Sequence, residues 1–477
     1  MKNHSKGLSA GHLTMLALGT IIGGSFFLGS SVAINAAGPS IVIAYIFGGV
    51  LVYYILYAMS EMTVANPSYG GFRAFASHAY GEGAGFVVGW VYWTGMILGM
   101  SSEATAASIL VRNWFPGISI PLLGSAIIIA VTLVNLLGAE KLSKLESGLA
   151  AIKVLTVVSF IIAAVLLIVG LLPGRPAVGL GAVAAEPFAP GGLTGLLGSM
   201  LIVMFSYCGF EIIALAASEV SEPHKTIPRA IRYTVISLVG MFLIYILVLL
   251  PLIPTAVLDE STSAIGASLN MHGISWASAV INAVLISAII STMLATMFGL
   301  GRMMRSLADD RHAPRWLKEK TDVPYRGILT SGLSMLAALW LGLLFPRVYL
   351  FLLSSGGFAI LFTYAVMMAS HLRLRKKHGC PPEGKCQMRG YPYTTIFVLA
   401  SLIIAMFSMP FVEGQTSGLL VGLGFVAVFT LSYLVLKYKR NRYLEGGRVR
   451  YRNEPGFAAE FSEDLTELKK KDEDERG

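Results

Sequence analysis

The sequence predicts an all-α polytopic membrane protein with about twelve spanning helices, two inverted halves of five followed by two extra C-terminal helices. Three observations lead to that class. The 477 residues are 55% hydrophobic and only 13% charged, with a mean hydropathy of +0.70, whereas soluble domains carry about 25% charged residues. Apolar runs long enough to cross about 30 Å of hydrocarbon follow one another along the chain. The first and sixth of these runs are interrupted by glycine at their centres. That spacing divides the first ten runs into two halves of five, and an odd number of spans per half forces opposite orientation.

In order, the runs fall near 13–36, 40–65, 83–110, 121–138, 148–172, 193–218, 230–251, 275–300, 327–345, 348–371, 394–411 and 416–437. Residues 1–12 are a short N-terminus, 13–172 the first half, 193–373 the second half, 394–437 the two extra helices and 438–477 a charged tail. The start, MKNHSKGLSAGH, enters the first run without a small-residue cleavage site, so no cleavable leader is expected. Lysine and arginine set the orientation. Arg73, Lys141, Lys144, Lys225, Arg229, the cluster from Arg302 to Arg326 and the cluster from Arg373 to Arg389 fall in alternate loops. The remaining loops hold little more than Arg112, Arg175 and Arg347. The basic loops and both termini are therefore expected in the cytoplasm of a cell whose plasma membrane holds the protein. The net charge of +9 follows from the same bias and does not call for a nucleic-acid partner. The tail after Lys439 reads as a solvated, largely disordered extension. The segment 252–275 is long for a connection and fits a short helical cap or a plain loop equally.

The first interruption is GTIIGGSFFLGS, from Gly19 to Ser30. Gly19, Gly23 and Gly24 each weaken a helix by roughly 1 kcal/mol relative to alanine. Non-helical backbone at membrane depth is tolerated only where it is buried in protein or lines a cavity. A helix broken there bares N–H groups that can hold a carboxylate, aided by the half-helix dipole. Close helix packing explains the same glycines equally well. The second interruption, MFSYCGFE, places Gly209 and Glu211 in mid-membrane. An ionisable group at that depth is a functional hypothesis by default, and a protonated, hydrogen-bonded glutamate is its structural alternative. Glu103, in the third run, either lines a pocket or pairs within the bundle. Glu61 and Glu219 read as interfacial charges or parts of an inner gate. Lys153, in the fifth run, either snorkels to the interface or is buried, where a lysine exchanges its proton more readily. Trp90, Tyr92 and Trp93 are assigned to packing. Cys380 and Cys386 fit no zinc spacing, and their loop faces a compartment where disulfides are rare.

Several longer segments carry a resemblance. AGPSIVIAYIFGG follows the first run, and SEMTVANPSYGGFRAFASHAYG the second. GFVVGWVYWTGMILGMSSEATAASILVRNWFPG covers the third, and VNLLGAEKLSKLESGLAAIKVLT joins the fourth to the fifth. FSYCGFEIIALAASEVSEPHKTIPRAI covers the sixth and its exit, and GRMMRSLADDRHAPRWL ends the eighth. Over about residues 8–440 the chain resembles an amino acid permease of the amino acid–polyamine–organocation (APC) superfamily. It is most similar to the bacterial group of aromatic, proline, lysine and GABA permeases. The resemblance implies a LeuT-type fold and a secondary active transporter, with no enzymatic activity, no cofactor and no metal. It implies proton-coupled uptake of a neutral L-amino acid, with that amino acid, protons and the lipid bilayer as partners. The substrate's α-carboxylate would sit on the backbone of Gly23, Gly24 and Ser25, and its amino group on carbonyls of the broken helices. Phe205 would gate the substrate, with Ser206, Tyr207, Cys208 and Gly209 as the unwound segment, and Glu211 would help hold the helix pair. Lys153 would stand where sodium-coupled relatives bind Na⁺, reaching carbonyls near Gly19 and a hydroxyl at Ser287 or Ser291. The group's Asn-Ser pair in the eighth span is Leu294 and Ala295 here, which favours an apolar substrate. An exchanger or an amine or polyamine carrier is the alternative within transport. A non-transporting membrane sensor is the alternative of another class, and the short charged tail offers it no output domain. ATP coupling has no support, since no GxxxxGK[ST] run is present.

Overall fold

The computed structural model describes residues 9–65, 71–172, 174–211, 213, 223–261, 263–319, 321–380 and 386–451, with the backbone alone at 12, 16, 139–148, 150, 223–224 and 440–451. The chain forms two units, Met1–Val426 and Ala427–Gly477, and the first holds both interrupted spans. The first span is α1 (Ala10–Ile21), a wide π-type turn at Ser25–Gly29, and α2 (Ser30–Ala37). Next come α3 (Ile41–Ala65), the short α4 (Phe72–Tyr80), α5 (Glu82–Val111), α6 (Ile120–Asn135) and α7 (Ala139–Val169). The second half runs through the short α8 (Gly181–Ala185), then α9 (Gly192–Ser206), α10 (Pro223–Leu249), the short α11 (Ala264–Met271), α12 (Ser275–Asp309), α13 (Tyr325–Gly342) and α14 (Val348–His378). Two further helices follow, α15 (Tyr393–Phe407) and α16 (Thr416–Tyr451).

This order reproduces the run of spans read from the sequence and the five-plus-five plan with two added helices. Among the described residues, seven helical segments are long and apolar enough to cross a membrane. Helix is forced on them because lipid offers no partner for a backbone N–H or C=O. Their ends are set by local chemistry. Gly170, for example, closes α7 with φ at 79°, and its N–H returns to Leu166 and Leu167 carbonyls.

Two groups of helices surround the breaks, and α14 of the second also packs on α9 and α3 of the first. In one, α3 and α1 lie along α10, while α2 and α3 lie along α9. In the other, α5 lies along α14, α12, α6 and α13. Gly95 and Gly356 let α5 and α14 meet backbone to backbone: a Cβ on Gly356 would come 2.9 Å from the Gly95 carbonyl oxygen. Helix α7 touches both groups, meeting α1 and α10 on one side and α12 on the other.

Glu61, at the end of α3, is a buried anchor rather than an interfacial charge. Its carboxylate accepts from His371 Nε2 (2.8 Å) and Arg375 (2.9 Å) of α14 and from the backbone N–H groups of Gln387 and Met388 (2.6 and 2.7 Å). Removing one member of a buried ionic network strands the others. Glu61→Gln is therefore expected to cost about 3 kcal/mol, read as a lower melting temperature of the detergent-solubilised protein with α3 and α14 no longer tied together.

Four expectations resolve differently or further. The segment 252–275 is helical at α11, and Glu186 fastens its start by accepting from Thr255 N and Oγ1 at 2.8 and 2.7 Å. The chain beyond Lys439 continues as helix to Tyr451 instead of dissolving at once. Cys380 and Cys386 are disulfide-bonded, with Cα atoms 5.4 Å apart, despite the compartment argument. Glu219 and most of the sixth run beyond Glu211 lie outside the described residues.

Candidate functional site

Breaking the first span leaves backbone groups without helical partners, and side chains from three other helices supply them. The N–H groups of Gly24 and Ser25, at the start of the second half-helix, donate to Glu103 Oε2 and Oε1 of α5 at 2.5 and 3.0 Å. The Gly19 carbonyl, at the end of α1, accepts from Lys153 Nζ of α7 at 3.0 Å. The Ile22 carbonyl accepts from Thr292 Oγ1 of α12 at 3.2 Å. An anion thus faces the N-terminus of one half-helix and a cation the C-terminus of the other, the favourable sense for both dipoles. Glu103 and Lys153 are both buried, and bonds to charged groups of this kind contribute about 1.5–3 kcal/mol each.

The hydroxyl on Lys153 is Thr292, at 2.9 Å, and neither Ser287 nor Ser291. The reason is helical register. Thr292 and Ala288 share the α12 stripe facing α1 and α7, and Thr292 also bonds the Ala288 carbonyl. Ser287 and Ser291 lie about 100° away round the helix, and Ser287 donates to its own helix at Val284. Of the two placements open to Lys153 the structure has the buried one, with the Gly19 carbonyl, which the resemblance implied, as one partner.

The second break lies against the first. Ser206 Oγ donates to the Ser25 carbonyl (3.1 Å), and Thr20 Oγ1 donates to the Gly209 carbonyl (3.3 Å). Gly209 adopts φ +112°, a conformation L side chains rarely take, and its N–H donates to Glu211 Oε2 at 2.9 Å. Glu211 also accepts from Tyr92 of α5 (3.2 Å) and Tyr364 of α14 (3.1 Å), and Cys208 lies beside it at 3.7 Å. Glu211 therefore joins the second break to the other helix group. Tyr92 belongs to this cluster, a role its place in an aromatic run concealed. Trp90 and Trp93 instead bond His312 O and Ser331 Oγ.

A cavity of about 420 Å³ lies on the side of the arginine-rich loops. Thr20, Tyr92, Met96, Gly209, Glu211 and Ala295 line it near the breaks, and Arg73, Arg302 and Ser306 line it toward the loops. Arg73 pairs there with Asp310. Several residues expected on the substrate are not on this cavity. Gly23, Gly24 and Ser25 are buried behind Glu103, and Phe205 packs where a Cβ on Gly99 would meet its ring at 2.9 Å. Tyr207 points away altogether, its hydroxyl donating to the Tyr45 carbonyl of α3 at 2.9 Å. Of the Leu294–Ala295 pair only Ala295 reaches the cavity; Leu294 lines a separate apolar one between α6 and α12.

Two apposed helix breaks, each bridged to a second group of helices by a buried acid, define a multi-pass membrane protein of the LeuT-type fold. The chain belongs to the amino acid permease family, whose family model matches residues 12–441. It is 30% identical to the gamma-aminobutyric acid permease of Bacillus subtilis (strain 168), a match covering 91% of this chain and 94% of that protein. It is 31% identical to the aromatic amino acid transport protein AroP of Corynebacterium glutamicum, covering 93% and 97%. In fold it is similar to the Eremococcus coleocola manganese transporter, solved in complex with an aromatic bis-isothiourea substituted compound. That match has a TM-score of 0.56 and 12% identity, covering 91% of this chain and 95% of that one. The family is one of transporters rather than enzymes.

Proposed function

We propose that the protein imports a neutral, apolar L-amino acid together with protons across the plasma membrane by alternating access. The observation that carries the coupling is the Lys153 ammonium, which joins Gly19 of one helix group to Thr292 of the other. An ammonium there stands where sodium-coupled relatives bind Na⁺, and its gain or loss of a proton is tied to the relative position of the two groups. The lysine and arginine bias supports an inner-side mouth for this cavity, one of the two states that alternating access requires. Met96, Ala295 and Leu300 on its wall favour an apolar side chain, because a polar one would need partners. The named relatives carry GABA and aromatic amino acids, both compatible with a zwitterion at the breaks.

Uptake into proteoliposomes under an imposed pH gradient, competed by each amino acid in turn, tests this. Accumulation is expected without sodium and should collapse when a protonophore dissipates the gradient. Accumulation that requires sodium would overturn the coupling. A second reading, an amine carrier, is favoured by one observation: Glu103 already occupies the N–H groups that an amino acid's carboxylate would take. Free amines competing better than amino acids would establish that reading in place of the first.

A further inference from the structure

The N–H pair assigned to the substrate's carboxylate holds a carboxylate of the protein's own. Glu103 spans it, one oxygen on Gly24 and the other on Ser25. Lys153 meanwhile holds the Gly19 carbonyl at the other pole of the same break. The protein thus presents to its broken helix the two charged groups of an amino acid zwitterion, drawn from α5 and α7. There is no room for a second carboxylate beside the first. A Cβ on Gly24 would come 2.6 Å from Glu103 Oε2, and one on Gly23 would come 3.2 Å from it.

We propose that Glu103 is an internal competitor for the substrate's carboxylate, and that substrate binds by displacing it from Gly24 and Ser25 while the displaced carboxylate takes up one proton. The inference rests on the amino acid reading above. Two carboxylates forced together cannot both stay ionised, and a neutral carboxyl accepts hydrogen bonds about half as strongly as an ionised one. Protonation therefore both frees the N–H pair and removes the repulsion. Among the described residues, the titratable side chains facing Glu103 are Lys153 from α7 and Tyr349 from α14, with the Ser25 hydroxyl beside them. The Tyr349 hydroxyl is buried with no hydrogen-bond partner among the described residues. It offers a displaced Glu103 a polar group to turn to. The proton enters as Glu103 leaves the N–H pair and is lost when the substrate departs and the carboxylate returns. Proton and substrate then bind together, each favouring the other, and release together.

The test uses the full chain in lipid nanodiscs. The common L-amino acids and 4-aminobutanoate are screened, and the tightest binder serves as probe beside its decarboxylated amine. Wild-type affinity for the probe is expected to rise as pH falls from about 8 to about 5, with about one proton taken up per ligand, measured calorimetrically in buffers of different ionisation heat. Glu103→Gln is expected to bind about tenfold more tightly at about pH 8 and to lose the pH dependence. Glu103→Asp, too short to span both N–H groups, should also bind more tightly but keep the pH dependence. The decarboxylated amine should gain nothing in either variant. Lost binding in Glu103→Gln with unchanged binding in Glu103→Asp would mean that Glu103 holds the ligand's ammonium, and would overturn the proposal. Should Glu103→Gln fail to fold, the wild-type proton count and Glu103→Asp still decide, and binding without proton uptake overturns it. If no panel member binds wild-type protein at any pH, the amino acid reading itself falls and this inference with it.

Discussion

Lys153→Ala is expected to reduce pH-gradient-driven accumulation to the level of empty liposomes. The ammonium is fully buried and donates to both Gly19 O and Thr292 Oγ1. Its removal strands a carbonyl at the end of α1, at a cost of about 1–3 kcal/mol, and it cuts the link from α1 through α7 to α12. Two measurements separate these effects. Substrate counterflow needs binding and the rocking motion but no net proton movement. If counterflow survives while accumulation is lost, Lys153 couples the proton. If both are lost with a lowered melting temperature, Lys153 holds α1 in place. Accumulation that persists in the variant and collapses only when sodium is removed would sink the coupling proposal.

Gly24→Val is expected to weaken substrate binding by about a hundredfold or more. A Cβ at Gly24 would lie 2.6 Å from Glu103 Oε2 and 3.2 Å from the Ala106 Cβ, and valine adds two further methyl groups to that space. Overpacking of this kind costs about 1–3 kcal/mol, and here it falls on the N–H pair itself. Gly240→Ala is the matched control. Gly240 lies within α10, and a Cβ there would meet nothing within 4 Å. That change is expected to leave binding unchanged and to stabilise the helix by about 0.5–1 kcal/mol. Unchanged affinity in Gly24→Val would mean that the glycines of the first break only let helices pack.

Much of the site was legible in the sequence because its elements are local departures from an apolar background. Glycines in a spanning run, an acid two residues after Gly209 and a lysine in LAAIKVLTVVSFIIAA each stand out against neighbours that lipid requires to be apolar. The partners were less legible. Glu103 and Gly24 are 79 residues apart, and Glu211 and Tyr364 are 153 apart. No periodicity within a span connects such pairs. Ser291, one of the two candidates for the eighth-span hydroxyl, is adjacent in sequence to Thr292, yet that single step of about 100° separates it from the residue that meets Lys153. Tyr207 and Phe205 show the same limit. Both sit in the second interruption, and packing turns one toward α3 and the other onto α5.

The sequence by itself therefore determined the all-α polytopic class, the order of the spans, the two runs that glycine interrupts and the ionisable residues that lie within spans. Composition and spacing suffice for these, since a bilayer penalises every exposed backbone group and every charge. Only the tertiary structure decided which side chain completes which backbone group: Glu103 on Gly24 and Ser25, Thr292 on Lys153, and Tyr92 and Tyr364 on Glu211. Those pairings depend on the depth and rotation of each helix against its neighbours, which are set by how the whole bundle packs and not by the residues of any one span.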